Sequence, residues 1–251
     1  MNATGVDASF WQGENINWQQ FKDNNISFAF LRATSGVRVD ATYARNYERA
    51  GVAGILRGAY HYLSPQSDAI EQARLFAATA LDSELPLVAD IEAEGLTEVP
   101  VRSFLSELET LTGKKPIIYT SAGRWQALLG TATPWASQYQ LWVAHWTTRP
   151  DPILPSAWSS WVFWQFTNAG TLPGHSGNID MNYFNGDELA LREYAAAQTT
   201  PLPTDPALEQ RLAAVEAQLA ALQTRTTTLE AEVLRLSNLA KQVGALLNPG
   251  S

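Results

Sequence analysis

The sequence predicts an α/β fold: an irregular (β/α) TIM-like barrel followed by a C-terminal coiled-coil helix. Three observations predict it. Short apolar runs alternate with helical periodicities through the first 197 residues. Every aromatic residue lies at or before Tyr194, so the 251-residue chain has an aromatic-rich part and an aromatic-free tail. That tail repeats its apolar positions at alternating steps of three and four, the period of a coiled-coil seam.

In chain order, strands are expected at 4–9, 28–33, 56–63, 85–92, 116–120, 141–145 and 161–167. Helices are expected between and after them at 18–24, 42–50, 68–80, 100–112, 122–129 and 186–197. Strands rich in apolar residues on both faces, alternating with helices, indicate a parallel sheet covered by those helices. Seven or eight strands in roughly 200 residues fit a compact closed barrel better than a doubly wound sheet. No Gly-rich phosphate loop follows a strand, so a nucleotide site is not indicated.

Residues 198–206 are rich in Pro and Thr and read as a linker. Beyond it, over 207–247, the stripe runs Leu208, Leu212, Val215, Leu219, Leu222, Thr226, Leu229, Val233, Leu236, Ala240, Val243 and Leu247. With Leu212 at a and Val215 at d, Arg211 and Arg225 occupy g while Glu216 and Glu230 occupy e. A parallel pair of helices then faces Arg211 with Glu216 and Arg225 with Glu230, which biases orientation more than it stabilises. Leu239 and Leu246 at g widen the apolar face and favour more than two strands. A homo-oligomer through 207–247 is therefore expected. The competing reading is a helix folded back on the first domain, which usually shows a wider stripe.

Composition excludes other classes. The chain has no Cys, which removes disulfides, Cys-ligated metals and thiol nucleophiles. A formal net charge of −8 speaks against nucleic acid as a partner. No apolar stretch is long enough to span a bilayer, and the opening residues carry no visible secretory signal. The spacing of His61, His145 and His175 matches no metal-ligand pattern, so no metal or cofactor is expected. No Gly-x-Ser-x-Gly elbow points to a serine hydrolase.

In such barrels the working residues stand at the C-terminal ends of the strands. The clearest strand end is Leu87-Val88-Ala89-Asp90-Ile91-Glu92, where Asp90 and Glu92 share a face about 6–7 Å apart. Asp7, Tyr60-His61-Tyr62, Trp164-Gln165 and Asp180 end or flank other runs. Several acids among aromatic residues suit a groove that cleaves sugars: rings stack on pyranose faces, and acids deliver protons and steady positive charge.

Taken together, the runs GVDASFWQG, ISFAFLRAT, GAYHYL, LPLVADIE, TGKKPIIYTS, LWVAHW, FWQF and GHSGNIDMNYFNG resemble the glycoside hydrolase family 25 lysozymes, the N,O-diacetylmuramidases common among bacteriophage endolysins. The resemblance spans about Thr4 to Tyr194 and leaves out the tail. It implies a peptidoglycan hydrolase that cuts the β-1,4 bond between N-acetylmuramic acid and N-acetylglucosamine. It implies Glu92 as general acid, Asp90 as its partner carboxylate, and Asp7 and Asp180 as further acids of the cleft. Tyr62, Trp164 and Gln165 match substrate-positioning groups. Where the family often has an acid after Ala-Thr, this chain has Ser35. The resemblance further implies a phage enzyme held in the host cytoplasm until a separate pore-forming protein admits it to the wall.

The resemblance and the acid pair together lead to a mechanism. Glu92 protonates the leaving oxygen, and Asp90 orients the substrate's 2-acetamido group as internal nucleophile. Asp90 and a semi-enclosed cleft are both expected to raise the Glu92 pKa. The rival readings are a wall-binding or structural phage protein without catalysis, and a chitinase-like glycosidase. The chain lacks the Asp-Gly-x-Asp-x-Asp-x-Glu run expected of the latter.

Overall fold

A computed structural model describes residues 1–80, 82–198 and 206–247; in the last segment side chains are described at 214, 215, 217–238 and 241. The chain divides into two compact units, Met1–Thr200 and Pro201–Ser251. The first unit carries strands β1 (Thr4–Ala8), β2 (Ile26–Ser35), β3 (Arg38–Val39), β4 (Leu56–Tyr62), β5 (Val88–Asp90), β6 (Ile117–Thr120), β7 (Leu141–Ala144), β8 (Phe163–Gly170) and β9 (Ile179–Phe184). Between and after them lie helices α1 (Trp18–Asp23), α2 (Tyr43–Val52), α3 (Ala69–Thr79), α4 (Glu98–Thr112), α5 (Ala122–Leu129) and α6 (Glu188–Gln198).

The sheet runs β1-β9-β8-β7-β6-β5-β4-β2 and closes through β1–β2 pairing, giving an α/β barrel of eight strands; β3 hangs from the end of β2. The barrel is not wholly parallel, as the sequence led us to expect. β9 is antiparallel to both its neighbours, β1 and β8. The connection 171–178 explains this, because a parallel return needs a crossover of about a dozen residues or more. β9 was also missed as a strand, although Ile179-Asp180-Met181-Asn182-Tyr183-Phe184 alternates as a strand should.

Side-chain alternation sorts the strand residues into two cores. Outward residues such as Val6, Leu31 and Ile118 pack beneath the helices with Phe21, Phe76 and Phe104. Inward residues Phe28, Phe30, Trp142, Phe163 and Phe184 fill the barrel, and Leu191 and Ala195 of α6 join the same cluster. Phe30 stacks on Trp142 with ring centroids 4.5 Å apart. The rings need facing gaps: a Cβ added at Gly5 would meet Phe28 at 2.4 Å, and one at Gly58 would meet Phe30 at 2.3 Å. Bulk from β2 is thus matched by glycine on β1 and β4.

His61 faces outward into the helical layer. Its Nδ1 lies 2.7 Å from the Thr34 hydroxyl, its Nε2 lies 3.1 Å from Gln72 Oε1, and its ring stacks on Phe104 at 4.8 Å. Burial holds it neutral, with a pKa lowered to about 4. Among the described residues no group of three or more His, Asp or Glu is placed to hold a metal ion.

The described residues of the second unit form one helix, α7 (Pro206–Leu247), of 42 residues, hence on the order of 60 Å long. The linker expected at 198–206 falls largely on 199–205, outside the described residues. Val215, Leu219, Leu222, Leu229, Val233 and Leu236 of the seam are each 53–66% exposed. The hydroxyls of Thr224, Thr226, Thr227 and Thr228 each donate to the carbonyl four residues back, which accommodates a Thr-rich run inside the helix. The side chains of Arg211, Glu216, Leu239 and Leu246 lie outside those described. Among the described residues no helix is long and apolar enough to cross a membrane.

Candidate active site

At the C-terminal ends of the parallel strands the inward positions change from apolar to polar. Asp7 on β1, Tyr60 on β4, Asp90 on β5, Tyr119 on β6 and Gln165 on β8 converge on a cavity of about 260 Å³. Trp142, Trp146, Asn168, Asp180 and Glu92 complete its wall. Asp180 arrives by a different route. Because β9 is antiparallel, its first residues lie at this end, and Asp180 pairs in register with Asp7. β5 ends at Asp90, yet Glu92 reaches the same cavity. The Ile91 N–H donates to the Tyr119 carbonyl at 2.9 Å and the Thr120 hydroxyl to the Ile91 carbonyl at 2.8 Å, carrying the strand path one residue further.

A hydrogen-bond network fixes the floor. Gln165 Nε2 and Asn182 Nδ2 each donate to Asp7 Oδ2 at 2.9 Å. Gln165 Oε1 in turn accepts from the Tyr119 hydroxyl and from Trp146 Nε1, both at 2.9 Å. Asn182 Oδ1 accepts from Trp142 Nε1 at 2.8 Å. Both amides are therefore held with nitrogen toward Asp7. Asp90 differs: it is buried, and its Oδ1 has no hydrogen-bond partner among the described residues. A buried acceptor left open costs stability and is the kind of atom a bound donor would satisfy.

All four acids hold protons more tightly than ordinary carboxyls. Burial raises Asp7 well above its usual range, and the nearby Asp180 charge adds to it. Asp90 is raised well above its usual range by burial, then by Glu92 and Asp7, with Arg32 pulling the other way. Burial lifts Asp180 to about 6, opposed by its hydrogen bond with Asp7. Glu92 is raised by burial and by Asp7, while Arg124 lowers it. The four titrate as a linked set.

Glu92, Asp90, Asp7, Asp180 and Gln165 are brought together here. Trp164 is not. Adjacent strand residues face opposite sides, so with Gln165 inward Trp164 faces outward. Its indole donates to the His145 carbonyl at 2.8 Å, and it packs with Leu141 and Val143 outside the barrel. Tyr62 lies one strand repeat beyond Tyr60 and lines the neighbouring groove instead. Sequence reasoning named Tyr60 as a strand end without assigning it to the cleft, and missed Tyr119, Trp142, Trp146, Asn168 and Asn182. The strand period could have found Asn182 from Asp180 and Tyr60 from Tyr62.

This arrangement of acids in an eight-stranded barrel has parallels among known proteins. The profile described as "Glycosyl hydrolases family 25" matches residues 6–175. The chain belongs to glycosyl hydrolase family 25. It is a glycoside hydrolase of the lysozyme type. Lysozyme M1 of Streptomyces globisporus is 36% identical over 214 residues, covering 78% of this chain and 71% of that one. The bacterial lysozyme from Streptomyces coelicolor superposes with a TM-score of 0.72 at 33% identity, over 79% of this chain and 99% of that structure. A family 25 lysozyme from Aspergillus fumigatus gives a TM-score of 0.69 at 28% identity, over 78% and 99% respectively. These likenesses cover about the length of the barrel.

Proposed function

We propose that this family 25 hydrolase is a muramidase that cleaves the β-1,4 bond following N-acetylmuramic acid in peptidoglycan, with Glu92 as proton donor. The observation that carries this reading is Asp90, a wall residue of the cavity whose buried Oδ1 has no hydrogen-bond partner among the described residues, beside a Glu92 whose pKa is raised. The N–H of a 2-acetamido group is a donor of matching chemistry. With that bond made, the acetamide carbonyl oxygen is aimed at C1 of the same sugar. Glu92 gives its proton to the glycosidic oxygen, the acetamide oxygen forms a bond to C1, and the C1–O bond breaks. Water then attacks C1, reopens the oxazolinium ring and returns a proton to Glu92. Asp7 and Asp180 keep the floor acidic, and Asp7 fixes the Gln165 and Asn182 amides. Tyr60, Tyr119 and Trp142 provide the ring and hydroxyl surfaces against which it lies.

Digestion of purified cell wall, borohydride reduction and mass spectrometry of the released glycans test the bond assignment. Reduced muramic acid at the new chain ends is expected; reduced glucosamine would overturn it. Assistance by the acetamide inverts C1 twice, so proton NMR is expected to show the β anomer forming first. An α anomer would replace the internal nucleophile with direct attack by water.

Self-association of α7 into a parallel coil is part of the same proposal. Its support is the exposed seam from Val215 to Leu236 and the Arg225–Glu230 complement across a parallel pair. Several clefts on one assembly gain avidity on a polymeric wall, about 10²–10⁴-fold where geometry allows simultaneous contact. Light scattering on the full chain is expected to give an oligomeric mass that Leu222→Asp with Leu229→Asp reduces to a monomer; a monomeric parent chain would refute it. The endolysin setting rests on the sequence resemblance alone. Its test is expression with and without a membrane pore-forming protein, with culture lysis expected only when both are present.

A further inference from the structure

Beside the catalytic cavity a second, larger hollow of about 570 Å³ opens along the β2–β3 hairpin. Its walls include Trp11, Ser35, Arg38, Asp40 and Tyr62. Three features set it apart from ordinary surface. Trp11 is 76% exposed and rests against Phe10, ring centroids 4.2 Å apart, so a broad aromatic face is held in place but left bare. Arg32 is bound to Asp40: its Nε and Nη2 both lie 2.8 Å from Asp40 Oδ2, while Asp40 Oδ1 accepts from the backbone and hydroxyl of Thr42 at 3.0 and 2.8 Å. Arg38 makes no ion pair or side-chain hydrogen bond among the described residues. Across the hairpin it pairs in register with Ser35, where no acid stands to neutralise it.

The hollow is also joined electrically to the reacting centre. Tyr62 lines it, and its phenol is raised by burial and then by Asp90 and Glu92. Arg32 lines it too and acts on Asp90. A glycan lying across Asp90 and Glu92 therefore has one neighbour to fill this hollow, offering a flat ring face and an unneutralised anion.

We infer that the β2–β3 hollow is a subsite for a carboxylate carried on the 3-O-lactyl arm of a muramyl residue, with Arg38 pairing the carboxylate and Trp11 stacking on the sugar. This rests on the muramidase reading and names the part of the substrate that reading leaves open. Ser35 is what makes the site selective: an acid there would face Arg38 across the hairpin and occupy it. The carboxylate is either the free lactyl group of peptide-free glycan or a carboxylate of the attached peptide.

Three substrates separate these cases: peptide-bearing glycan, glycan stripped of peptide so that its lactyl carboxylates are free, and the stripped glycan with those carboxylates amidated. Because Arg38 is exposed, Arg38→Gln is expected to lower kcat/KM about threefold to tenfold on one or both charged substrates. No change is expected on the amidated one, and the substrate that responds identifies the source of the charge. Arg38→Lys retains most of the activity, and the loss in Arg38→Gln shrinks as salt is raised. Trp11→Ala raises KM on all three, since stacking ignores the charge. Equal losses in Arg38→Gln on charged and amidated glycan, or none on any, overturn the inference while parent turnover keeps the muramidase reading. No turnover of any glycan by the parent enzyme overturns both.

Discussion

The two ends of the barrel interior are built on the same strands and differ within two residues. Toward the α6 end the inward positions are Gly5, Phe28, Val88, Ile117, Phe163 and Phe184, a dry and filled core. One strand repeat away, about 6–7 Å, the inward positions become Asp7, Asp90, Tyr119 and Gln165, and β9 contributes Asp180. The lower end spends its burial on packing. The upper end buries acids that are raised above their usual range and leaves Asp90 Oδ1 open. Stability and chemistry are thereby separated along the barrel axis, and substitutions at the two ends are expected to fail in different ways.

Glu92→Gln breaks the comparison most strongly if it is wrong. Turnover of purified wall is expected to fall about 10³–10⁴-fold, roughly 4–5.5 kcal/mol of barrier, with the melting temperature little changed. Phe28→Ala at the lower end gives the opposite pattern. It empties a position whose ring centroid lies 5.1 Å from that of Phe163 and is expected to cost about 3–5 kcal/mol of stability, with kcat retained well below the melting point. A calorimetric scan and a rate assay on both variants check the pair.

Asp90→Asn sharpens the trade-off, because it is expected to lose activity and gain stability at once. The sign follows from the raised pKa of Asp90. Below the unfolded value both states are protonated and no penalty exists. As pH rises toward the folded value the unfolded state releases the proton first, and stability drains away. Asparagine carries no such proton. Its melting temperature is expected to exceed the parent's by about 3–6 °C at pH 7 and to converge with it near pH 4. Trp146→Phe is the mildest probe: Trp146 is 57% exposed and gives Gln165 one hydrogen bond. A rise in KM of about threefold to fivefold is expected without loss of stability.

Much of this was legible in the sequence because strand ends announce themselves. The Leu-Pro-Leu-Val-Ala-Asp-Ile-Glu run shows apolar burial stopping at paired acids, and both acids line the cavity. The errors came from ignoring the period of two. Trp164 and Gln165 were read as one cleft feature, although neighbours on a strand cannot share a face. Asp180 was recognised as an acid but its segment was not recognised as a strand, so its route to Asp7 through antiparallel pairing stayed hidden. Arg32, Asp40 and Arg38 gave no signal, because what distinguishes Arg38 from Arg32 is which one has a carboxylate beside it. That is a property of the folded hairpin.

The account turns on Glu92 being a proton donor whose surroundings hold the proton. Carbon-13 NMR titration of carboxyl-labelled enzyme, assigned against Glu92→Gln, measures this directly. The structure predicts a Glu92 midpoint above the ordinary glutamate value, through burial and Asp7, and activity that declines as pH rises through that midpoint. A Glu92 that titrates at or below the ordinary value, with activity indifferent to its ionisation, would contradict the account.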